Sequence, residues 1–463
     1  MLAASVLERL CAALGEAHVR TDEATRTACG IDALGRGAMP DVVVWPGDTA
    51  EVAAVARLCH QTRTPLVPRG AGTGYSGGAV PVAGGVVISL ERLNRILDID
   101  VDNLLAVVEP HVVTGRLQAA VERHGLFYPP DPASLDRSVI GGNVAECAGG
   151  PRAFKYGVTR QYVLGLEAVL PTGEVIRTGG KVVKNVVGYD LTQLLVGSEG
   201  TLAVITQVIL RLVPKPTARA TARVTFGSIG GAVEAVSQLL RARVVPATLE
   251  IIDEESLAAV ARYLGEDTLA PAGTQAVLLI EVDGQPEQVS SDEQRVADVC
   301  RRAQATQFQV AAGEQERLAL WRVRRELSPA LRTIAPHKFN HDVVVPRARI
   351  PQLFALVGRL RAELGLQIPC FGHVGDGNIH VNIMATDEVG VLANVREAER
   401  RLFEGVVALE GSISGEHGIG LAKSAFIGLE LTPETMALMR RVKHAFDPHG
   451  ILNPGKIFPP EMA

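Results

Sequence analysis

Four runs rich in glycine or proline lie in the first half of the chain, and they restrict its fold more than any other feature. They span residues 68–80, 128–134, 140–160 and 179–206. Glycine tolerates a positive φ and lets backbone N–H groups approach an anion closely, but ordering it costs conformational entropy. If the chain held a single run of this kind, turn formation alone would be an adequate explanation. Four of them in one domain favour a binding surface made largely of backbone.

The first run, PRGAGTGYSGGAV, holds five glycines but is not a nucleotide-triphosphate loop. It lacks the G-x-x-x-x-G-K-[ST] pattern, and residues 84–113 after it have the composition of strands rather than of a helix. The ordinary Rossmann arrangement is disfavoured for the same reason. Around this run the sequence predicts a buried strand at 41–45, a helix beginning at Asp48, and a hairpin that turns at Pro171-Thr172-Gly173.

A second informative stretch, FGHVGDGNIHVNIM, lies late in the chain at 371–384. His380 and Asn382 stand two apart in a strand pattern and therefore share a face. The Gly375-Asp376-Gly377 turn is expected to reverse the backbone and to bring His373 back beside His380. Two converging imidazoles predict a metal site.

The segment SGEHGIG at 414–420 adds Glu416 and His417 to this stretch. Two histidines and one carboxylate form a three-ligand set that leaves coordination positions open for a substrate. Single histidines are usually structural. The pattern H-x-G-D-G-N-x-H, combined with E-H in a glycine-rich loop, is a sharper signal, and it favours the metal interpretation.

After Pro214 and Pro216 the pattern changes to a fresh alternation of strands and helices. Strands are predicted at 221–228, 247–253, 275–284, 307–313 and 338–346, and helices at 230–244, 286–304 and 316–331. This alternation alone does not separate an antiparallel from a parallel sheet.

Composition excludes several classes of protein. Across 463 residues the formal net charge is −5 with mixed signs, so a nucleic-acid surface is not expected. Residues 1–15 form an amphipathic helix pattern rather than a signal peptide, and no apolar run is long enough to span a membrane. The six cysteines are scattered without a C-x-x-C pair, which disfavours an Fe–S cluster on this chain and fits free thiols in the cytoplasm.

The motifs PRGAGTGYSGGAVP, PPDPAS, IGGNVAECAGG and VGSEGTLAVIT resemble the FAD-binding half of the vanillyl-alcohol-oxidase / p-cresol-methylhydroxylase (PCMH) superfamily. The second half resembles its glycolate oxidase D subunit, D-lactate dehydrogenase and D-2-hydroxyglutarate dehydrogenase branch. The resemblance implies an α+β fold, in which a two-subdomain PCMH-type FAD-binding domain precedes an α+β cap with a mainly antiparallel sheet. The expected limits are 1–213 for the FAD domain, 214–424 for the substrate- and metal-binding cap, and 425–463 for a C-terminal segment that packs back on the FAD domain.

By the same resemblance, a set of mostly small residues binds FAD. These are Pro68, Arg69, Gly70, Ala71, Gly72, Thr73, Gly74, Ser76, Gly77, Pro132, Ser134, Gly141, Gly142, Asn143, Gly149, Gly200, Ile205 and Asn453. Some members of the superfamily tether FAD through a histidine in or near the first loop. Here His60 precedes that loop and His111 follows it, so the FAD is expected to be non-covalent.

The resemblance also assigns the residues of the reaction site. His373, His380 and Glu416 match the metal ligands, and His417 matches the catalytic base. Arg324, Ser328 and Lys338 match substrate-binding positions, since arginine pairs bidentately with a carboxylate. Asn382, on the His380 face, is a further candidate for holding a substrate oxygen. Zinc, iron and manganese all remain compatible with such a ligand set.

The implied reaction is oxidation of a D-2-hydroxy acid, of the D-lactate, D-2-hydroxyglutarate or glycolate type, to the 2-oxo acid. The metal would chelate the substrate, His417 would take the hydroxyl proton, and a hydride would pass to flavin N5. The acceptor would be other than oxygen: a partner protein, an Fe–S subunit or a quinone. The alternative is a flavoprotein subunit that only transfers electrons within a glycolate or lactate oxidase complex.

The expected location is the cytoplasm, with peripheral attachment to the inner membrane through a partner left open. A homodimer and a subunit of a larger complex are both left open. A metal-dependent hydrolase would leave the glycine-rich first half unexplained.

Overall fold

The computed structural model of the protein describes residues 2–266, 270–387 and 390–459. Its strands are Val19–Arg20 (β1), Val42–Val44 (β2), Leu66–Arg69 (β3), Val86–Ser89 (β4), Ile96–Asp100 (β5), Leu105–Val108 (β6), Leu126–Phe127 (β7), Val163–Val169 (β8), Val175–Gly179 (β9), Val204–Arg211 (β10), Val213–Pro214 (β11), Ala218–Phe226 (β12), Thr248–Asp253 (β13), Ala276–Gly284 (β14), Gln307–Val310 (β15), His337–Val344 (β16), Cys370–His373 (β17) and Asn378–Ala385 (β18).

The α-helices between these strands are of very unequal length. They are Ala4–Leu14 (α1), Glu23–Cys29 (α2), Thr49–Thr62 (α3), Thr114–Glu122 (α4), Ile140–Glu146 (α5), Ala153–Tyr156 (α6), Leu191–Leu195 (α7), Ile229–Arg241 (α8), Glu254–Leu264 (α9), Pro286–Arg302 (α10), Glu314–Leu331 (α11), Ile350–Leu364 (α12), Val391–Ala408 (α13), Ile427–Glu430 (α14) and Pro433–Phe446 (α15). Among the described helices none is both long and apolar enough to cross a membrane.

The chain divides into two compact units. Unit 1 comprises Met1–Gly149, Val158–Lys215 and Glu416–Ala463, and unit 2 comprises Gly150–Gly157 and Pro216–Gly415. The chain enters unit 2 briefly at Gly150–Gly157 and again at Pro216, and it returns to unit 1 at Glu416. The expected domain limits stay a prediction.

Unit 1 contains two larger sheets. One has the order β1-β2-β4-β3, in which β2, β4 and β3 run parallel. The other, β5-β6-β10-β8-β9, is antiparallel throughout. Helix α3 begins as predicted, because the Asp48 side chain accepts a hydrogen bond from Glu51 N. The predicted hairpin joins β8 to β9, and Gly173 has a φ of +87° in its turn.

The parallel sheet lies beside the C-terminal segment. Leu66 N donates to Ile451 O at 2.8 Å, and Asn453 N donates to Leu66 O at 2.8 Å. Ile451 and Leu452 are buried in one apolar cluster with Val42 and Val44 of β2 and the inner face of α3. Burial of these apolar side chains stabilises the position of the tail against the first glycine-rich loop, which follows β3.

Unit 2 is built on a seven-stranded sheet of order β15-β12-β14-β13-β17-β18-β16. Every pair in it is antiparallel, which confirms the predicted mainly antiparallel cap. Helices α8 and α10 pack against β12 and β14, and α13 packs against β18. Side chains alternate along a strand, so the register places Glu250, His380 and Asp342 on one face.

Helices α9 and α11 cover part of that face. Leu257 and Val260 of α9 and Leu327 of α11 bury themselves against Ile252 and Phe371 of the sheet. The sequence prediction missed α9, although Asp253 accepts a hydrogen bond from Ser256 N and so begins the helix. The helical spacing of the apolar residues at 257, 260 and 264 was not recognised, because a strand pattern comes immediately before it.

Candidate active site

In unit 1 the structure brings together two of the glycine-rich runs that were predicted to bind FAD, 68–80 and 140–160. A Cβ at Gly70 would lie 2.8 Å from Val139 Cγ2 and 3.9 Å from Gly142 Cα and N. At Gly141 a Cβ would lie 2.5 Å from Pro110 Cβ. Side chains are thus excluded from the place where the loop after β3 meets the beginning of α5. Glycine at 70 is therefore what allows these two runs to pack against each other, and glycine at 141 allows the close approach of Pro110.

Buried hydrogen bonds fix the beginning of the run 140–160. Asn143 Nδ2 donates to Thr114 Oγ1 at 2.7 Å, and Thr114 Oγ1 donates to Ser138 O at 3.0 Å. Ser138 N in turn donates to Ser134 O at 2.7 Å, so the predicted residue Ser134 lies in the turn that leads to α5. Pro132 begins the same turn, because its carbonyl accepts from Leu135 N.

Asn453 connects the tail to two of the predicted FAD segments. Its Nδ2 donates to Gly78 O and to Glu199 O, each at 2.8 Å. A Cβ on Gly200 would lie 3.2 Å from Pro68 Cγ. Gly200, Asn453 and the first loop are therefore neighbours, whereas Ile205 lies buried along β10 opposite Ala168.

The Glu416–Gly420 segment of unit 1 lies against the same loop. The ring of His417 meets the ring of Tyr75 edge-on, with centroids 5.1 Å apart. Leu421 N and Ala422 N donate to Ser76 O at 2.8 and 3.1 Å. Glu416 Oε2 lies 2.8 Å from where a Cβ of Gly149 would be, so glycine at 149 leaves room for this carboxylate.

In unit 2 the turn after β17 reverses the backbone and brings His373 beside His380, as predicted. The His373 and His380 rings have centroids 5.4 Å apart and are nearly perpendicular. Gly377 has a φ of +90°, and a Cβ there would lie 2.0 Å from Val345 O. Only glycine allows this close approach, and with it the return of the strand. Both histidines are buried.

Glu250 of β13 contacts two of the predicted site residues. Its Oε1 lies 2.5 Å from His373 Nδ1, and its Oε2 accepts from Arg324 Nε at 2.5 Å. Burial alone would raise the pKa of this carboxyl, but the charges of His373 and Arg324 outweigh it and lower the pKa to about 2. Since Nδ1 of His373 faces Glu250, a metal bound by this ring has to be bound at Nε2.

The sequence analysis missed Glu250. It had only a strand pattern, ATLEIID, and gave no sign that this residue would reach a histidine 123 positions later. Of the four arginines on α11, Arg324 alone is buried; Arg317 is half-buried, and Arg322 and Arg325 are exposed. The structure pairs Arg324 with Glu250 and stacks it over Phe371 at 4.7 Å; its contact with substrate stays a prediction.

Asp342 is a second functional candidate that the sequence did not single out. It is fully buried and lies directly opposite His380 in the pairing of β16 with β18. Its carboxylate accepts from Asn378 Nδ2 at 2.6 Å, from Ser414 Oγ at 3.3 Å and from Gly415 N at 2.9 Å. Asp342 therefore fixes the peptide that ends unit 2, immediately before Glu416.

The remaining predicted substrate residues are placed in two groups. Lys338 Nζ donates to Ser328 Oγ at 2.7 Å, which brings these two together. Burial and the nearby Arg332 lower the pKa of Lys338 to about 7. Asn382 is fully buried: its Oδ1 accepts from Asn340 Nδ2 at 2.7 Å, and its Nδ2 donates to Pro369 O at 3.2 Å. Its substrate role stays a prediction.

Comparison with known proteins identifies the family. Residues 40–179 match the FAD binding domain family, and residues 215–457 match the family of the C-terminal domain of FAD linked oxidases. The chain belongs to the FAD-linked oxidases. This confirms the resemblance from which the site residues were assigned.

Named relatives extend this result. The chain is 41% identical to glycolate oxidase subunit GlcD of Bacillus subtilis (strain 168), over 99% of this chain and 97% of that protein. It is 37% identical to D-lactate dehydrogenase of Anaerostipes hadrus, over 91% and 90% of the two chains. The chain is therefore an FAD-dependent oxidoreductase that acts on hydroxy acids.

A solved structure agrees with the fold. Substrate-bound p-cresol methylhydroxylase superposes with a TM-score of 0.81 at 18% identity, covering 99% of this chain and 97% of that one. This likeness confirms the predicted α+β PCMH-type fold.

Proposed function

We propose that this FAD-linked oxidase is a dehydrogenase that oxidises a D-2-hydroxy acid to the 2-oxo acid with the help of a divalent metal. D-Lactate, D-2-hydroxyglutarate and glycolate are the candidate substrates. His373, His380 and Glu416 are the proposed metal ligands, and His417 is the proposed base. Zinc, iron and manganese are the candidate metals.

The observation that carries the metal proposal is the contact between Glu250 and His373. Metal-binding histidines commonly place their second ring nitrogen against a carboxylate, which fixes the tautomer and makes the other nitrogen a better ligand. Glu250 is fully buried and has a pKa of about 2, so it is a permanent anion at neutral pH. The His373 ring is thus fixed at Nδ1, in the manner of a metal ligand.

Each proposed role uses chemistry that the side chain already has. Histidine is the residue type used most often as a general base, and the ring of His417 contacts that of Tyr75 edge-on. Bound FAD would supply the two-electron acceptor. A bound metal would act as a Lewis acid on the substrate hydroxyl. Lys338, paired with Ser328, offers a cation for the substrate carboxylate at and below neutral pH.

The test is a dye-coupled screen of D- and L-2-hydroxy acids, run with and without a chelator. We expect one or more D acids, or glycolate, to reduce the dye, and we expect chelation to abolish the reaction while FAD stays bound. His373→Ala should also abolish dye reduction. The matched control is His337→Ala, an exposed histidine on the same sheet, which should keep full activity. Unchanged turnover in His373→Ala would remove this residue from the ligand set.

A second candidate function follows from the name of a relative, because GlcD is called a subunit of glycolate oxidase. Under it, the chain only transfers electrons within a complex, to a partner that is a protein, an Fe–S subunit or a quinone. Cytoplasmic location, with peripheral attachment to the inner membrane through that partner, is part of this proposal. Dye reduction by the isolated chain separates the two: a pure electron-transfer subunit would show none with any hydroxy acid.

A further inference from the structure

The backbone immediately after His417 is fixed by a buried carboxylate. Glu199 Oε1 accepts from Ile419 N and Oε2 accepts from Gly420 N, each at 2.7 Å. Both oxygens of one side chain thus bind two consecutive amides of the loop that carries the proposed base. Hydrogen bonds of amides to a carboxylate are stronger than those to neutral acceptors.

Glu199 is itself held in place from several sides. Its N–H donates to Ala145 O at 2.8 Å, and its carbonyl accepts from Asn453 Nδ2 at 2.8 Å. Its φ is +52°, a conformation that non-glycine residues adopt only where the surroundings impose it. The residue is 6% exposed. The carboxylate is therefore a rigid support rather than a surface group that happens to reach the loop.

A second carboxylate stands beside the first. A Cβ at Gly418 would lie 2.4 Å from Glu146 Oε2 and 2.9 Å from Glu199 Oε1, and Gly418 has a φ of +75°. Burial raises the pKa of Glu146 well above its usual value, and the adjacent Glu199 adds to this. Burial also raises the pKa of Glu199, against the effect of the Ile419 and Gly420 amides and of two lysines. The loop after His417 is thus enclosed by two acidic side chains.

We propose that Glu199 is a positioning residue for His417: by binding the amides of Ile419 and Gly420, it sets where the imidazole lies in the reaction site. This inference rests on the proposed function of His417 as base. Its physical basis is that a proton acceptor works only at hydrogen-bond distance from the proton it removes. A loop displaced by about 1 Å can cost on the order of 10²-fold in rate.

The experiment compares Glu199→Gln with the wild type as FAD-loaded protein. Glutamine keeps the shape but replaces one acceptor oxygen with an NH2 group, so one of the two loop amides loses its partner. We expect kcat to fall on the order of 10²-fold, with KM and FAD content unchanged. We also expect hydrogen exchange at Ile419 or Gly420 to become faster by about tenfold or more.

Glu109→Gln is the matched control. Glu109 is also a buried carboxylate of unit 1 that accepts from a backbone amide, that of Arg95 at 2.7 Å, but it does not contact the loop. Its substitution should leave kcat and the exchange of Ile419 and Gly420 at wild-type values. Loss of FAD or a general loss of folding in Glu199→Gln alone would indicate a structural role and overturn the proposal, as would unchanged kcat and exchange.

Hydrogen exchange of the wild-type protein tests whether Glu199 holds the amides of Ile419 and Gly420. This measurement needs no variant, and its result does not depend on the proposed function. If Ile419 and Gly420 exchange at the rate of an open loop, Glu199 does not hold them and the proposal is wrong. If both are protected but no 2-hydroxy acid reduces the flavin of the wild type, the proposed function fails, and with it the role of Glu199 for His417.

Discussion

At the scale of single residues, Glu250 links the stability of unit 2 to its chemistry. We predict that Glu250→Gln lowers the free energy of unfolding at pH 7 by about 3 kcal/mol, because it leaves Arg324 buried without its anion. The difference from the wild type should be fully present above the usual carboxyl pKa of 4.5 and disappear as the pH falls through the folded pKa of about 2. Urea unfolding curves from pH 8 down to pH 2 measure it.

The control for this prediction is Glu397→Gln, which removes an exposed partner of Arg400 on α13. Surface pairs contribute little, so its unfolding curve should match that of the wild type. A Glu250→Gln protein as stable as the wild type at pH 7 would show that the buried pair does not stabilise unit 2. The same variant should bind the proposed metal about 10- to 100-fold more weakly.

Lys338 gives a prediction for a higher range of pH. Its pKa is lowered from 10.5 to about 7 by burial and by Arg332, so the folded state binds fewer protons than the unfolded state between these values. Stability contributed by this site is therefore lowest below pH 7 and rises with pH above it. We predict that the stability of the wild type relative to Lys338→Met rises between pH 7 and pH 9. A difference that does not change over this range would contradict the shift.

At the scale of elements, the turn between β17 and β18 determines whether the two histidines meet. Gly377→Ala would place a Cβ 2.0 Å from Val345 O at a φ of +90°. We predict a loss of about 1 to 3 kcal/mol in the free energy of unfolding, together with weaker metal binding. Thermal unfolding and metal titration measure the two effects.

Gly273→Ala separates strain from steric overlap. Gly273 has a φ of +82° but no atom within 4 Å of an added Cβ. It should therefore show only the backbone part of the loss, about 1 kcal/mol, and no change in metal binding. Equal losses in the two variants would show that the contact with Val345 is not what fixes the turn.

How much of the site is predictable from sequence depends on how local each feature is. The glycine-rich loops, the Asp48 cap and the His373–His380 turn are set by neighbouring residues, and their patterns predicted them. Glu250 and Asp342 are not predictable in this way, because strand pairing brings them to their partners from distant parts of the chain. The burial of Arg324, alone among the four arginines of α11, depends likewise on how this helix packs.

At the scale of the whole molecule, the chain returns from unit 2 to unit 1 at Glu416 and His417, the proposed metal ligand and the proposed base. Asp342 of unit 2 binds the amide of Gly415, and Glu199 of unit 1 binds the amides of Ile419 and Gly420. Glu416 and His417 lie between these two supports in the sequence. The backbone on each side of these two residues is thus bound by a carboxylate within its own unit.

The most direct measurement of the central claim is the reduction of the bound flavin under anaerobic conditions, followed by its absorbance. We predict that D-lactate, D-2-hydroxyglutarate or glycolate bleaches the flavin of the untreated protein. After chelation the FAD should remain bound and stay oxidised, and adding zinc, iron or manganese should restore bleaching. If the chelated, metal-free protein is bleached at the rate of the untreated protein, or if no 2-hydroxy acid bleaches either form, the account is contradicted.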